Sequence, residues 1–231
     1  MLGKRKISLY FSPVEIILGT VSLALIFLSF FLFEGEDYLS LITSALGVVS
    51  LLLCAKGNPL GQLLIIIFGL IYAYISFTFS YYGEMITYAG LTVPMAVLAL
   101  ISWLKNPHKG NHAEVHVNAI SKKEIPLLLG LSVGVTAVMY FVLDYFETVN
   151  LIPSTISVFT SFVAVYLTFR RSPFYAIAYA ANDVVLVVLW VMASLTDTSY
   201  IAVATCFAVF FINDIYGFIS WKMMEKRQAS E

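Results

Sequence analysis

Eight long apolar runs divide this chain of 231 residues, and each approaches the ~20 residues that a helix needs to cross a hydrocarbon core of ~30 Å. The runs are 13–33, 39–55, 59–81, 85–104, 125–145, 153–169, 173–195 and 200–223. With 60% hydrophobic and 12% charged residues, the chain has too little polar surface for a water-soluble fold. The sequence therefore predicts an all-α polytopic membrane protein with eight transmembrane helices.

All 13 Lys and Arg residues fall on one side of the membrane when these runs are threaded across it. They occupy the start, the even-numbered connections and the end, whereas the other connections carry only acidic residues. By the positive-inside bias, we expect both termini to be cytoplasmic. The first run follows a basic segment as in a signal peptide, but it is long enough to span and no small-residue cleavage site follows it, so we expect a retained helix.

The second to fourth runs resemble the sixth to eighth, which indicates an internal repeat. At an offset of 114 residues, Thr43, Gly47, Ser50, Cys54, Lys56 and Pro59 align with Ser157, Ser161, Ala164, Thr168, Arg170 and Pro173. At an offset of 118 residues, Tyr82 and Trp103 align with Tyr200 and Trp221. Because a single span separates the units, they run in the same direction. The pattern predicts a 3+1+3 core of two parallel three-helix repeats, a transporter architecture, with a peripheral first helix.

The chain accordingly divides into four segments. We expect an N-terminal segment with a peripheral helix (1–36), a first three-helix bundle (37–105), a cytoplasmic loop with the linking helix (106–150), and a second three-helix bundle with a cytoplasmic tail (151–231). Pro94 lies inside the fourth run, where it should kink the helix and free a backbone carbonyl. The sequence favours neither of two interpretations of Pro94, a functional hinge or a kink without a functional role.

Two Asn-Asp pairs lie deep in the second unit, Asn182-Asp183 and Asn213-Asp214. A charged group at the bilayer centre costs roughly 2.5 to 3.5 kcal/mol, so it persists mainly where it faces a cavity or a partner. Lys and Arg are missing at that depth. The pairs favour a polar substrate site, although an interhelical hydrogen-bond network with a protonated carboxyl would also account for them.

Helical spacing adds aromatic residues to this candidate site. Tyr175 and Tyr179 share a stripe with Asn182, and Asp214 shares another with Trp221. Aromatic faces beside carboxylates suit a small flat cation through attraction worth ~0.5 to 2 kcal/mol, although single aromatic residues more often pack or form an interfacial belt. The predicted substrate-binding residues are Asn182, Asp183, Asn213, Asp214, Tyr179, Tyr175, Gln62, Tyr72 and Trp221.

Several other activities lack their sequence signatures. The chain has no Gly-rich phosphate loop for ATP hydrolysis, no buried Lys for a Schiff base, and no typical aspartyl-protease context around its membrane aspartates. His108, His112 and His116 recur every four residues, but the glycine and proline around them favour a solvated loop over a metal site. We therefore expect no cofactor, no metal, no nucleic-acid partner and no enzyme, with a membrane enzyme or receptor as the alternative class.

The chain resembles the PnuC family of bacterial nicotinamide riboside transporters. The residues that carry the resemblance are Lys56-Gly57-Asn58-Pro59, Tyr82-Gly83-Glu84, Ser102-Trp103-Leu104-Lys105-Asn106, Glu114-Val115-His116-Val117, Ser121-Lys122-Lys123-Glu124, Asn213, Tyr216, Gly217 and Trp221. The resemblance implies a 3+1+3 core similar to that of SWEET sugar transporters. It also implies energy-independent passage of a vitamin through the bacterial inner membrane and trapping by a downstream cytoplasmic kinase.

One motif departs from the family pattern. Typical members carry Trp-x-x-Trp and then Asn four residues on, where this chain has Tyr175, Ala178 and Asn182. The resemblance therefore implies that Asn182 is a site residue and that Tyr175 is an aromatic substitute for the first Trp. It implies no site role for Ala178. The implied substrate is nicotinamide riboside, and thiamine, riboflavin or another nucleoside are alternatives. Proton coupling through Asp183 and a homo-oligomer are both compatible with the sequence.

Overall fold

The computed structural model describes residues 10–34, 38–78, 81–148 and 150–231. Within these ranges, eight helices are long and apolar enough to cross a membrane, as the sequence predicted. They are α1 (Pro13–Phe33), α2 (Tyr38–Ala55), α3 (Pro59–Thr78), α4 (Tyr82–Lys105), α5 (Ile125–Tyr145), α6 (Leu151–Phe169), α7 (Phe174–Ser194) and α8 (Tyr200–Ser230). Helix α8 continues beyond its predicted end, because the polar residues after Met223 remain helical.

The two ends of the helical bundle differ in charge. We call the end that carries Lys56, Arg170 and Lys222 the basic face, and the end that carries Asp144 and Asp197 the acidic face. Helices α2, α4, α6 and α8 run from the acidic to the basic face, and the other helices run in the opposite direction. Each predicted three-helix unit therefore begins at the acidic face, which is compatible with the 3+1+3 arrangement.

Helix α4 is irregular before Pro94. An α-helical turn (Tyr82–Thr87) leads into a π-helical turn (Tyr88–Thr92), and regular helix resumes at Val93–Lys105. The Val93 N–H bonds to the Tyr88 carbonyl, a wider step than in an α-helix. Since Pro94 has no N–H to donate, the chain accommodates it by widening the preceding turn. The irregularity expected at Pro94 is thus present as a π-helical turn.

Two tryptophans join the units at the basic face. Trp103 Nε1 at the end of α4 donates to the Thr168 carbonyl near the end of α6, at 2.9 Å. Trp221 Nε1 in α8 donates to the Cys54 carbonyl near the end of α2, at 2.8 Å. The last carbonyls of a helix have no partner within it. The Thr168 and Cys54 carbonyls each accept from the turn that follows their helix, from Arg171 N–H and Gly57 N–H, and each indole adds a second donor from the opposite unit. Both tryptophan side chains are fully buried.

The serine before each tryptophan repeats the arrangement. Ser102 Oγ donates to the Phe169 carbonyl at 2.9 Å, and Ser220 Oγ donates to the Ala55 carbonyl at 2.7 Å. These contacts relate the same positions that the internal repeat aligned in sequence. We call the two Ser-Trp pairs and their carbonyl acceptors the basic-face clamps.

The peripheral helix α1 and helix α5 make similar ion pairs to the units that follow them. Glu15 in the first turn of α1 pairs with Lys56 at 3.0 Å, and the Glu124 carboxylate just before α5 accepts from the Arg170 guanidinium at 2.9 Å in an equivalent pair. Lys56 and Arg170 are aligned by the repeat. Burial alone would raise the pKa of the Glu124 carboxyl. The hydrogen bonds from Arg170 and from Tyr166 outweigh it and hold that pKa below its ordinary value. Helices α1 and α5 therefore meet their following units through equivalent ion pairs.

The loop after α4 packs against both units at the basic face. It forms a two-stranded antiparallel hairpin, β1 (Pro107–His108) and β2 (Asn111–Val115). The Val115 N–H bonds to the Gly57 carbonyl at 2.9 Å, and the Asn118 N–H bonds to the Arg171 carbonyl at 3.0 Å. These acceptors lie in the tight turns of the two units, where Gly57 and Arg171 both have positive φ. The predicted solvated loop is therefore ordered by backbone hydrogen bonds, although His112 is exposed.

Close packing of α2 and α3 depends on Gly61. A Cβ at this position would lie 2.7 Å from the Cys54 backbone nitrogen. Because backbone cannot move aside as a flexible side chain can, we expect Gly61→Ala to destabilise the fold by about 1–3 kcal/mol. Gly130→Ala in α5 is the matched control, since a Cβ there has nothing within 4 Å. Thermal unfolding in detergent should show a lower midpoint for Gly61→Ala only, and equal midpoints for the two variants would contradict this.

Candidate substrate site

A cavity lies between the two units at mid-bundle, with about 690 Å³ of space between atoms that includes its open side, and we call it the central cavity. It is lined by Gly47, Leu51, Cys54, Gln62, Ile65, Phe68, Tyr88, Thr92, Ser161, Tyr175, Tyr179, Asn182, Asp183, Phe207, Phe210 and Asp214. Most of the predicted site residues are therefore brought together here. The matched positions Gly47 and Ser161 both face the cavity, as the repeat would place them.

Asn182 is held by α6 through its carbonyl oxygen. Its Oδ1 accepts hydrogen bonds from Thr160 Oγ1 at 2.7 Å, Ser161 Oγ at 3.1 Å and Ser157 Oγ at 3.3 Å. With its acceptor occupied, the amide can offer the ligand only its Nδ2 hydrogens. The hydroxyls thus fix Asn182 as a hydrogen-bond donor toward the cavity.

Asp183 and Asp214 bring two carboxyl groups together across the α7–α8 contact. Both side chains are about 4% exposed, and they are close enough to interact directly. Asp183 Oδ2 accepts no hydrogen bond within the described part of the chain. Two neighbouring carboxylates repel each other strongly where water is excluded. A cationic ligand in the cavity would relieve that repulsion.

Aromatic rings close the central cavity toward the basic face. Tyr175 lies in the wall with its ring centroid 6.2 Å from that of Tyr179. Below it, Trp221 contacts Tyr175 at 4.9 Å and Trp103 at 5.3 Å. Trp221 was predicted to contact substrate, but its indole is buried beneath Tyr175 and committed to the Cys54 carbonyl. Its place is therefore in the floor of the cavity, outside the lining.

Asn213 was also predicted as a site residue, and the structure places it elsewhere. Its Nδ2 donates to Ser22 Oγ of α1 at 2.9 Å and to the Val209 carbonyl at 2.8 Å. Successive residues of a helix point about 100° apart, and in α8 it is Asp214 that faces the cavity. Tyr72 likewise lies outside the central cavity and lines a second one nearer the acidic face.

The sequence did not single out the apolar lining of the cavity. Phe68, Phe207 and Phe210 form part of its wall, with ring centroids 5.8 Å apart for Phe68–Phe210 and for Phe207–Phe210. A Cβ on Gly47 would lie 2.2 Å from Phe210 Cζ, so this glycine makes room for the ring. The repeat aligns Gly47 with Ser161, and both positions line the cavity. This alignment was the sequence signal that could have pointed to the wall beside Gly47.

A family model described as the nicotinamide mononucleotide transporter matches residues 37–223. The chain belongs to this family. The nicotinamide riboside transporter PnuC of Neisseria mucosa is 24% identical over 205 residues, which cover 87% of this chain and 78% of that protein. A crystal structure of the vitamin B3 transporter PnuC, 23% identical, shares the fold with a TM-score of 0.81 and covers 94% of both chains. The resemblance to the PnuC family inferred from sequence is confirmed.

The segment that the family model matches contains the whole described lining of the central cavity. All of its lining residues fall inside residues 37–223, whereas α1 lies before it. Tyr175 replaces the family's aromatic Trp and lines the cavity as expected, while Ala178 does not. Hence the site of this family member keeps one aromatic wall at that motif and loses the second.

The role of the α6 hydroxyls can be tested at Thr160. Removing its hydroxyl takes away the shortest bond to Asn182, so Thr160→Val should weaken substrate binding about threefold to tenfold, as expected for one hydrogen bond of ~0.5–1.5 kcal/mol. Thr155→Val is the matched control on the same helix, since Thr155 Oγ1 bonds to the Leu151 carbonyl. The affinity of each purified variant for the substrate is measured by equilibrium binding. Equal losses would show that Thr160 does not act through Asn182.

Proposed function

We propose that this chain carries nicotinamide riboside across the bacterial inner membrane by facilitated diffusion. Its membership of the transporter family, the name of its Neisseria relative and the chemistry of the central cavity support this. The observation that carries most weight is the pair Asp183 and Asp214, which are adjacent and buried at mid-bundle in a cavity walled by aromatic rings. Among the described lining residues of this cavity there is no Lys or Arg to neutralise them. The protein is then a carrier and not an enzyme.

Nicotinamide riboside matches each part of the cavity. Its pyridinium ring is a flat cation, suited to the faces of Tyr175 and Tyr179 and to the negative field of the two carboxyls. Its carboxamide oxygen and ribose hydroxyls need donors, which Asn182 Nδ2 supplies. Gln62 donates one amide hydrogen to Cys54 Sγ at 3.2 Å and can use its remaining amide atoms toward the ligand.

The charge of the central cavity favours the riboside over the mononucleotide. A phosphate group is bound in proteins chiefly by Arg, Lys or backbone N–H groups. Lys and Arg are missing from the described lining of the cavity, which instead holds two carboxyls that would repel a phosphate. We therefore propose the dephosphorylated nucleoside as the substrate, with phosphorylation by a cytoplasmic kinase trapping it after entry.

Alternating access would arise from motion of one unit against the other. The proposed 3+1+3 division puts the central cavity between the units, where a shared site is expected. The basic-face clamps join the units at one end, so opening that end requires their hydrogen bonds to break. We place the basic face and both termini in the cytoplasm, since Lys and Arg accumulate on that side of membrane proteins.

Competition binding on purified protein tests the substrate. Labelled nicotinamide riboside should be displaced by the unlabelled compound at the lowest concentration, and nicotinamide mononucleotide should need at least about tenfold more because of its phosphate. Thiamine and riboflavin are the further competitors, since both are flat vitamins. Stronger displacement by either would reassign the substrate, and the absence of any binding would refute the proposed function.

Uptake measurements test the site residues. Asn182→Leu removes the positioned donor, so counterflow of labelled nicotinamide riboside in liposomes should fall by about tenfold or more, as expected when a buried polar partner is lost. Asn213→Leu is the matched control, because the same substitution there removes a contact to Ser22 on α1 and touches no part of the central cavity. Equal uptake by the two variants at equal protein amounts would exclude Asn182 from the site.

A further inference from the structure

A second cavity lies nearer the acidic face, and we call it the acidic-face cavity. It lies between the ends of α2, α3, α7 and α8 that point to that face, with about 560 Å³ of space between atoms that includes its open side. Its lining combines hydroxyls with aromatic rings, including Thr43, Ser44, Tyr72, Trp190 and Tyr200. This is the same mixture of groups that makes the central cavity suitable for a nucleoside.

Two buried hydrogen-bonding groups line this cavity with no side-chain partner other than each other among the described residues. Tyr72 is 7% exposed and Trp190 is 3% exposed. Tyr72 Oη and Trp190 Nε1 lie near each other, yet neither makes a hydrogen bond of normal geometry within the described part of the chain. Buried polar groups are nearly always paired, because an unpaired one forfeits its interaction with water. A ligand oxygen between them would accept from both groups.

Aromatic rings beside these donors offer stacking surfaces. Trp190 lies 5.4 Å from Tyr200 and 5.0 Å from Tyr81 between ring centroids. Acidic side chains lie close by as well, with Asp197 near Tyr81 and Glu84 near Tyr72. Glu84 is 3% exposed, and its Oε2 has no hydrogen-bond partner among the described residues. The surroundings therefore suit a flat cation that carries hydrogen-bond acceptors.

The two cavities are neighbours along the bundle axis. Phe68 and Phe207 line both of them, so these two rings form the partition. Tyr72 stacks on Phe68 at 5.7 Å and contacts Phe207 at 6.0 Å. A molecule in the acidic-face cavity is thus separated from the central cavity by two aromatic side chains.

We propose that the acidic-face cavity is a second binding site for the transported flat cationic nucleoside, which Tyr72 and Trp190 hold before it passes Phe68 and Phe207. The identity of that ligand rests on the proposed function. The site loads from the acidic face and delivers to Asn182 and its neighbours. One chain then binds two molecules, each in a separate cavity.

Binding stoichiometry on the full-length purified protein tests this, with nicotinamide riboside as the probe. Wild type should bind two equivalents, and Asn182→Leu should retain one. The double variant Tyr72→Phe with Trp190→Phe keeps both rings and removes both donors, so its second equivalent should bind about tenfold more weakly. Tyr140→Phe on the exposed surface of α5 is the control and should leave both equivalents unchanged.

The possible outcomes separate this proposal from the proposed function. A single equivalent in wild type that Asn182→Leu abolishes and the double variant leaves unchanged would overturn the second site and leave the transport function standing. No binding of nicotinamide riboside by wild type would overturn the proposed function, and the second site would fall with it. Retention of one equivalent by Asn182→Leu, lost on adding the double substitution, would establish the second site.

Discussion

The exclusion of water from the membrane interior constrains this protein more than any single contact. Each backbone or side-chain polar group at that depth must find its partner within the chain. Asn182 satisfies the rule for its carbonyl oxygen with three hydroxyls from α6, and Asn213 satisfies it for its amide nitrogen through Ser22 of α1. Among the described groups that break the rule, Asp183 Oδ2, Tyr72 Oη and Trp190 Nε1 belong to residues that line a cavity, whereas Ser29 Oγ, Thr136 Oγ1 and Asn213 Oδ1 line neither of the two cavities. An unpaired group therefore marks a place where a polar ligand can complete the hydrogen bonding only when it also faces a cavity.

The sequence predicts the helices and part of the site for related physical reasons. Spans are visible because lipid demands long apolar runs, and Asn182, Asp183 and Asp214 stand out because polar groups are rare at that depth. Phe68, Phe207 and Phe210 could not be recognised, since an apolar residue that faces a cavity looks the same in sequence as one that faces lipid. Asn213 was misplaced because its partner lies on α1, far away in sequence, and no local pattern reports such a contact.

The sequence alignment of the repeat did not reveal the ion pairs and hydrogen bonds that its matched positions make. The aligned Lys56 and Arg170 were visible, but their partners Glu15 and Glu124 lie outside the aligned units, so the equivalence of α1 and α5 emerged only from the ion pairs. Similarly, Trp221 was predicted to bind the ligand, and Trp103 was recognised only as its counterpart in the repeat. Their role as donors to carbonyls of the opposite unit depends on the packing of the units, which composition does not encode.

The positions of these hydrogen bonds bear on how the proposed carrier would change shape between its two open states. The basic-face clamps use helix-end carbonyls, which lie close to the aqueous boundary, so water can replace each indole or hydroxyl donor once the face opens. Exchange of one hydrogen bond for another changes the free energy little. The Asn182 network presents the donor that the ligand needs whichever face is open, so in the proposed cycle it stays intact. Motion would then concentrate at the clamps and at the Phe68–Phe207 partition, while the polar groups of the central cavity keep their geometry.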